Sequence, residues 1–498
     1  MTGSYQTLIE RMKDIGRLSG VSQLLDWDQE TYMPRGGVAA RAEQSALLAG
    51  LIHERLVADE TRRLLDDVTV HDDDFVAVTN VREARRVYER ASRIPTELVK
   101  EIAHTSSLAK DAWGEARSRD EFARFSPWLI KLVALKRRVA DLIGYETEPY
   151  DALMDEFEPG AKAAVLETIF AELREKTVAL LQRIQASPRP PDDTILSQTF
   201  PEERQRVLSS RMAEAVGFDL ARGRADVSAH PFCTTIGGPL DVRITTRYQE
   251  RFLPSALFGT LHECGHALYE QGLPEGRRGE PIGEAVSLGI HESQSRLWEN
   301  LVGRSRAFWK FHYSSLLELF PDTLYNVSLD DFYRAINKVK PSLIRVEADE
   351  VTYNLHIILR FELERALFRD RLSVEDLPSA WNEGMTQTVG VTPKRDADGC
   401  LQDIHWSMGA FGYFPTYTLG NLYAAQFFER AREDVPDLFD AIADNDHRPL
   451  LQWLRENIHQ HGRRFRAGEL VLRVTGRPLS CDSFVRYVTG KCADVYRW

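Results

Sequence analysis

The sequence has no apolar run approaching the ~18 residues a membrane-spanning helix needs, which excludes an integral helical membrane protein. Its five cysteines, Cys233, Cys264, Cys400, Cys481 and Cys492, are odd in number, sparse over 498 residues and without a paired zinc-knuckle spacing. A disulfide framework is therefore not expected, and a reducing cytoplasm is. Basic residues are also short: 63 Lys and Arg against 75 Asp and Glu leave a formal net charge of -12. That balance opposes a nucleic-acid partner, which calls for a dominant basic surface. The stretch Met1 to Gly16 interleaves charges with apolar residues and shows no h-region, so no secretory signal is expected. There is no internal repeat and no low-complexity tail.

What is present is an ordinary globular composition, 43% hydrophobic and 28% charged. From Tyr5 to about Gln185 apolar residues recur every three and four positions, as in Trp128, Leu132, Leu135, Val139 and Leu142, which is helical spacing. The prolines of 186–193 cannot continue a helix and predict a surface connection. Residues 231–236 and 240–248, rich in Thr, Val, Ile and Phe and separated by Gly237-Gly238-Pro239, predict a β hairpin. Pro254 fits a first helical turn, Leu257, Leu261, Ala267 and Leu268 form a stripe, and Gly272 supplies a stop, so 254–271 should be one helix. The expected fold is mostly α, with a small antiparallel hairpin. Length allows one catalytic unit built as two helical lobes, about 1–190 and 191–498.

The helix expected at 254–271 contains His262-Glu263-Cys264-Gly265-His266. Histidines four apart leave a helix on the same face about one turn apart, so both imidazoles can reach one metal ion. Glu263 projects about 100° from His262, too far to bind the same ion but close enough to take a proton from a water on it. Zinc suits imidazole and carboxylate donors and lowers the pKa of bound water; cobalt can replace it. Cys264 reads as a small buried apolar residue.

A catalytic zinc takes three protein ligands and keeps one position open. The metzincin extension would need a glycine at 269 and a histidine at 272; Tyr269 and Gly272 stand there, which excludes that class. Glu270 has drifted off the ligand face and reads as a solvated glutamate. His291 and Glu292, at the head of another apolar-striped helix, are both candidates, and periodicity alone does not choose between them. Should Glu292 bind the metal, His291 reads as its hydrogen-bonded neighbour.

His262-Glu-Cys-Gly-His266 followed 26 residues later by Glu292 in His-Glu-Ser-Gln resembles the carboxypeptidase Taq family of zinc metallocarboxypeptidases. Further segments match in the family's order: His230-Pro-Phe232, Asp241-Val-Arg-Ile-Thr245, Ile344-Arg-Val-Glu-Ala-Asp349 and Gly399-Cys-Leu-Gln-Asp-Ile-His-Trp406. Trp27-Asp-Gln-Glu-Thr31 and Gly412-Tyr-Phe-Pro-Thr-Tyr-Thr-Leu-Gly420 extend the likeness over the whole chain. The resemblance implies His262, His266 and Glu292 as zinc ligands and Glu263 as the base that later protonates the leaving amine. It also implies a helical molecule with a deep groove, homodimers, and removal of single C-terminal residues with broad side-chain tolerance.

A carboxypeptidase must hold a terminal carboxylate, for which a guanidinium fork is suited; Arg345 is the first choice, with Arg243 either assisting or pairing with Asp241. The oxyanion needs donors beside the metal, for which His405 and Tyr417 are the candidates and Tyr413 an alternative. His230 is expected to shape the groove wall, and Asp349 and Asp403 to orient ligands. Peptides are the expected partners. The competing readings are a dipeptide-releasing or internal-cleaving peptidase with the same metal site, and a non-catalytic helical zinc scaffold.

Overall fold

The computed structural model describes residues 3–498. Helix α1 spans Gly3–Thr31, α2 Phe122–Ile143, α3 Pro149–Met154 and α4 Ala163–Gln185, and the intervening stretch is helical as well. The stripe expected along α2 points inward, with Leu132, Leu135 and Val139 buried, while Leu142 has rotated out to 37% exposure near the helix end. Residues 186–193 form an irregular and mostly exposed connection, as their prolines dictate. Among the described residues no helix is long and apolar enough to cross a membrane.

Three strands follow: β1 Gly223–Val227, β2 Cys233–Thr235 and β3 Val242–Thr246, in the order β1-β3-β2. β2 and β3 are the expected antiparallel hairpin, paired Cys233↔Ile244 and Thr235↔Val242. β1 adds a parallel partner on the other side of β3, which the hairpin expectation did not include. The sequence Gly-Arg-Ala-Asp-Val carries no apolar alternation; its single buried residue is Asp226, which accepts from Tyr32 Oη at 2.6 Å and Arg224 Nε at 2.6 Å. The end of α1 is fastened to this sheet through Trp27, whose ring lies 4.3 Å from the Arg243 guanidinium and 4.9 Å from that of Arg224.

α5 Leu253–Gly272 is followed by α6 Leu288–Arg296, which runs without interruption into a π-helical turn, Leu297–Val302. α7 Tyr353–Phe368 and α8 Pro415–Asp434 are nearly surrounded by other elements, and both faces of each are buried. One apolar core runs from Ala109 to Tyr496 and takes in Leu257, Leu261, Cys264, Ala267 and Leu268 of α5. The side of α5 facing away from its histidines is therefore fixed by packing.

Four histidines outside the motif, His312, His356, His447 and His459, are buried in this core. Burial pushes them down to about 4, 3, 4 and 3 respectively. A histidine whose folded pKa lies below the unfolded value near 6.5 binds its proton in the unfolded chain, so stability falls as pH drops from about 6.5 toward 4. Calorimetry at pH 5 is expected to show a lower thermal midpoint than at pH 7.5 and an uptake of about three or more protons on unfolding.

Candidate active site

Pro254 in the first turn and an unbroken buried stripe make α5 a rigid carrier, and Gly265 brings it against α6. A Cβ on Gly265 would stand 2.5 Å from Gln294 O and 2.6 Å from Ser295 Cα, so only glycine permits this approach. Gly265→Ala is expected to separate the two helices and weaken metal binding by at least about tenfold, read by competition with a chromogenic chelator.

Across that contact His262, His266 and Glu292 converge, with one ligand atom from each within 4.8 Å of the others. Glu292 Oε2 lies 3.7 Å from His262 Nε2 and 3.5 Å from His266 Nε2. Two donors on a tetrahedral zinc, each about 2.1 Å from it, stand about 3.4 Å apart. The spacing and the donor chemistry both fit that ion.

Hydrogen bonds hold each of these three side chains from behind. Glu292 Oε1 accepts from Arg296 Nε at 2.6 Å and Oε2 from Ser295 Oγ at 3.1 Å. Burial raises the Glu292 carboxyl, but Arg296 and His262 pull it well below the usual range, so it is ionised. His262 Nδ1 is 2.9 Å from Glu299 Oε2, a partner the sequence reading did not single out. Burial raises Glu299 too, yet Arg296 and His262 bring it down to about 2. His266 Nδ1 is 2.6 Å from His291 Nδ1, and His291 Nε2 is 2.8 Å from Glu270 Oε1. With His266 Nε2 turned to the ligand cluster, its Nδ1–H donates to His291, whose Nε2–H donates to Glu270. Glu270 is therefore not the solvated residue expected: the packing of α6 on α5 places an imidazole over it. Burial takes His266 down to about 4, leaving it neutral, the form that could bind a metal ion.

Glu263 is 6% exposed and has no hydrogen-bond partner among the described residues. Burial pushes its carboxyl up to about 7, against the pull of His262. That is the range a general base working near neutrality needs.

A second cluster adjoins the first through Tyr353, at the start of α7. The Arg296 guanidinium lies 4.3 Å from the Tyr353 ring, and Arg345 Nη1 donates to Tyr353 Oη at 2.9 Å. Arg345 also donates to Asp403 Oδ1 from Nε at 3.0 Å and Nη2 at 2.9 Å, while Arg360 takes Asp403 Oδ2 at 2.7 Å. His405 Nε2 is 3.2 Å from Tyr417 Oη, and burial lowers His405 to about 4, so it is a neutral imidazole. Tyr413 packs between His405 and Tyr417, 5.3 and 5.4 Å from their rings. Two buried guanidiniums thus share one buried carboxylate, which leaves the Arg345, Arg360 and Asp403 trio with one positive charge.

The remaining expected residues lie elsewhere. Arg243 is committed to Asp241, 2.9 Å from each carboxylate oxygen, and to the Trp27 ring. Asp349 does not orient a ligand: it accepts from the amides of Lys340, Val351 and Thr352 and from the Thr352 hydroxyl, closing the turn before α7. Asp403 acts on the two arginines rather than on the metal ligands. His230 is exposed in the loop between β1 and β2.

A family model described as Carboxypeptidase Taq (M32) metallopeptidase matches residues 7–492. The chain is 48% identical over 507 residues, 99% of each protein, to a thermostable carboxypeptidase 1 of Thermus thermophilus. It is 42% identical to a carboxypeptidase 1 of Bacillus subtilis over 97% of each. The crystal structure of an M32 carboxypeptidase from Deinococcus radiodurans R1 superposes with a TM-score of 0.97 at 42% identity, covering 100% of both chains.

Proposed function

Since the chain belongs to the carboxypeptidase Taq (M32) metallopeptidase family and is a metallocarboxypeptidase, we propose that it releases single residues from peptide C-termini with broad tolerance, using zinc and Glu263 as base. The observation that carries this reading is the pairing of two adjoining clusters, one a zinc-sized ligand set and the other two buried guanidiniums sharing a single carboxylate. Held by His262, His266 and Glu292, zinc would polarise the scissile carbonyl and lower the pKa of water.

The chain's own residues account for the other steps. Arg345 receives the terminal carboxylate, which compensates the charge that Asp403 alone leaves unbalanced. Glu263 takes the proton of the attacking water and returns it to the leaving amine, its raised pKa making both transfers feasible near neutral pH. His405 Nε2–H and the Tyr417 hydroxyl, with Tyr413 beside them, supply donors to the developing oxyanion. Recognition of the carboxylate, common to all peptides, leaves the side chain free to vary. Five free thiols, four of them buried, support a cytoplasmic setting, and homodimerisation is the family-level expectation we adopt.

Glu299→Gln is expected to weaken zinc affinity about 10- to 100-fold while the chain still folds, because it loosens the orientation of the His262 ring. Titration of the apo protein against a zinc buffer measures this. The function itself is tested by mass spectrometry of a peptide with a blocked N-terminus, with and without chelator. Stepwise loss of single C-terminal residues, abolished by chelator and slowed when the C-terminus is amidated, is the expected outcome. Dipeptide release or internal cuts would relocate the carboxylate clamp, and no cleavage by zinc-loaded protein would refute the reading.

A further inference from the structure

α7 carries two buried charges one turn apart, Arg360 and Glu364, both 0% exposed. Arg360 holds Asp403, two residues before His405, at 2.7 Å. Glu364 takes hold further along the same segment. Its Oε1 accepts from the Trp406 indole Nε1 at 2.7 Å, and its Oε2 accepts from the Gly412 amide at 3.0 Å and from Tyr150 Oη at 2.7 Å. One face of α7 therefore fixes residues 403, 406 and 412, which bracket His405 and lead directly into Tyr413 and Tyr417. Gly412 completes the lock: at φ +86, its Cβ position would lie 2.7 Å from Met154 N, so the loop is pressed between Glu364 and α3, the helix that supplies Tyr150.

We propose that Glu364 is a positioning residue of the hydrolysis, a buried carboxyl that sets where His405, Tyr413 and Tyr417 stand relative to the metal centre. The proposal rests on the reading above, in which His405 and Tyr417 serve the oxyanion. Its physical basis is the donor count. The Trp406 and Gly412 N–H groups are obligate donors, one on each carboxylate oxygen, whereas the Tyr150 hydroxyl can turn. Only a group accepting on both arms satisfies them, and a carboxyl does so whether ionised or with its proton turned to Tyr150 Oη. A glutamine sets its NH2 against one obligate donor whichever way it is turned. The loop cannot escape that conflict, because Trp406 packs edge-on against Trp381 at 5.9 Å and Phe414 at 6.4 Å. Burial raises the carboxyl to about 7 even against the pull of Gly412, Tyr150, Trp406 and Arg360.

The test uses the full-length zinc-loaded enzyme. Glu364→Gln is expected to lower kcat about 10- to 100-fold with KM within about twofold and zinc stoichiometry unchanged. Adding Trp406→Phe removes the donor that faces the amide, so the double variant should recover to the level of Trp406→Phe alone, about threefold below the unaltered enzyme. A kcat for Glu364→Gln within about twofold of the unaltered enzyme overturns the proposal. So does a joint decline of kcat, KM and thermal midpoint that Trp406→Phe does not relieve, since that marks a purely structural role. If Glu364→Gln does not fold, the Trp406→Phe single variant decides: a lower kcat at constant KM supports the proposal and an unchanged kcat overturns it. Tyr417→Phe and His405→Ala, measured alongside, separate the two levels. If neither alters kcat, the oxyanion reading has failed; if both do and Glu364→Gln does not, only the positioning role has.

Discussion

Glu263→Gln is expected to lower kcat by about 10^3- to 10^4-fold while leaving zinc content, peptide KM and thermal midpoint close to those of the unaltered enzyme. The side chain is 6% exposed on a helix whose opposite face is locked into the core, so glutamine occupies the same volume in the same place. It makes no ion pair or hydrogen bond among the described residues that the substitution would break. What disappears is the basic oxygen that takes a proton from water and returns it to the amine. The loss therefore falls on a step made only in the transition state, which lowers kcat and kcat/KM together. Steady-state kinetics with metal analysis on the same preparation checks it; a variant retaining a tenth of the activity would remove Glu263 from the mechanism.

Arg345→Met is expected to lower kcat/KM about 10^2- to 10^3-fold on peptides with a free C-terminus and to have little effect on amidated ones. The contrast follows from the charge of the pocket. Arg345 and Arg360 share Asp403, and removing Arg345 leaves Asp403 still paired with Arg360 at 2.6 Å, so the buried carboxylate is not stranded. The surplus positive charge goes, and with it the reason for a terminal carboxylate to leave water. Arg345→Lys should rescue only weakly, since an ammonium cannot hold Asp403, Tyr353 and a carboxylate from one planar fork. A free-to-amidated preference that survives in Arg345→Met would place the clamp elsewhere.

Much of the site was legible where the chemistry is local. The His-x-x-x-His spacing and the Pro254-to-Gly272 pattern predict the helix that the structure places at Leu253–Gly272. The hairpin was legible from its Thr- and Val-rich strands around Gly237-Gly238-Pro239. β1 was not, because a strand whose one buried side chain is an aspartate has no hydrophobic alternation to read. The supporting residues were hidden for another reason. Glu299, Arg360 and Glu364 act through partners 37 to 214 positions away, and Tyr353 through Arg345 across an irregular turn, so their roles arise only from packing. Glu299 did leave a trace, standing three residues after Arg296 and seven after Glu292 on one helical run, although the π-helical turn there widens the winding. Arg243 illustrates the opposite limit: its alternation along β3 suited a ligand-facing side chain equally well, and only the structure shows Asp241 and Trp27 engaging it.

The most direct test of the account is a crystal structure of Glu263→Gln grown with zinc and a short peptide, with anomalous data collected at the zinc edge. The account predicts one anomalous peak about 2.1 Å from His262 Nε2, His266 Nε2 and Glu292 Oε2, with the peptide's terminal carboxylate on Arg345 and one residue between that clamp and the carbonyl at the metal. A peak away from those three atoms, or a peptide whose terminal carboxylate lies two residues beyond the metal or has no contact with Arg345, would contradict it.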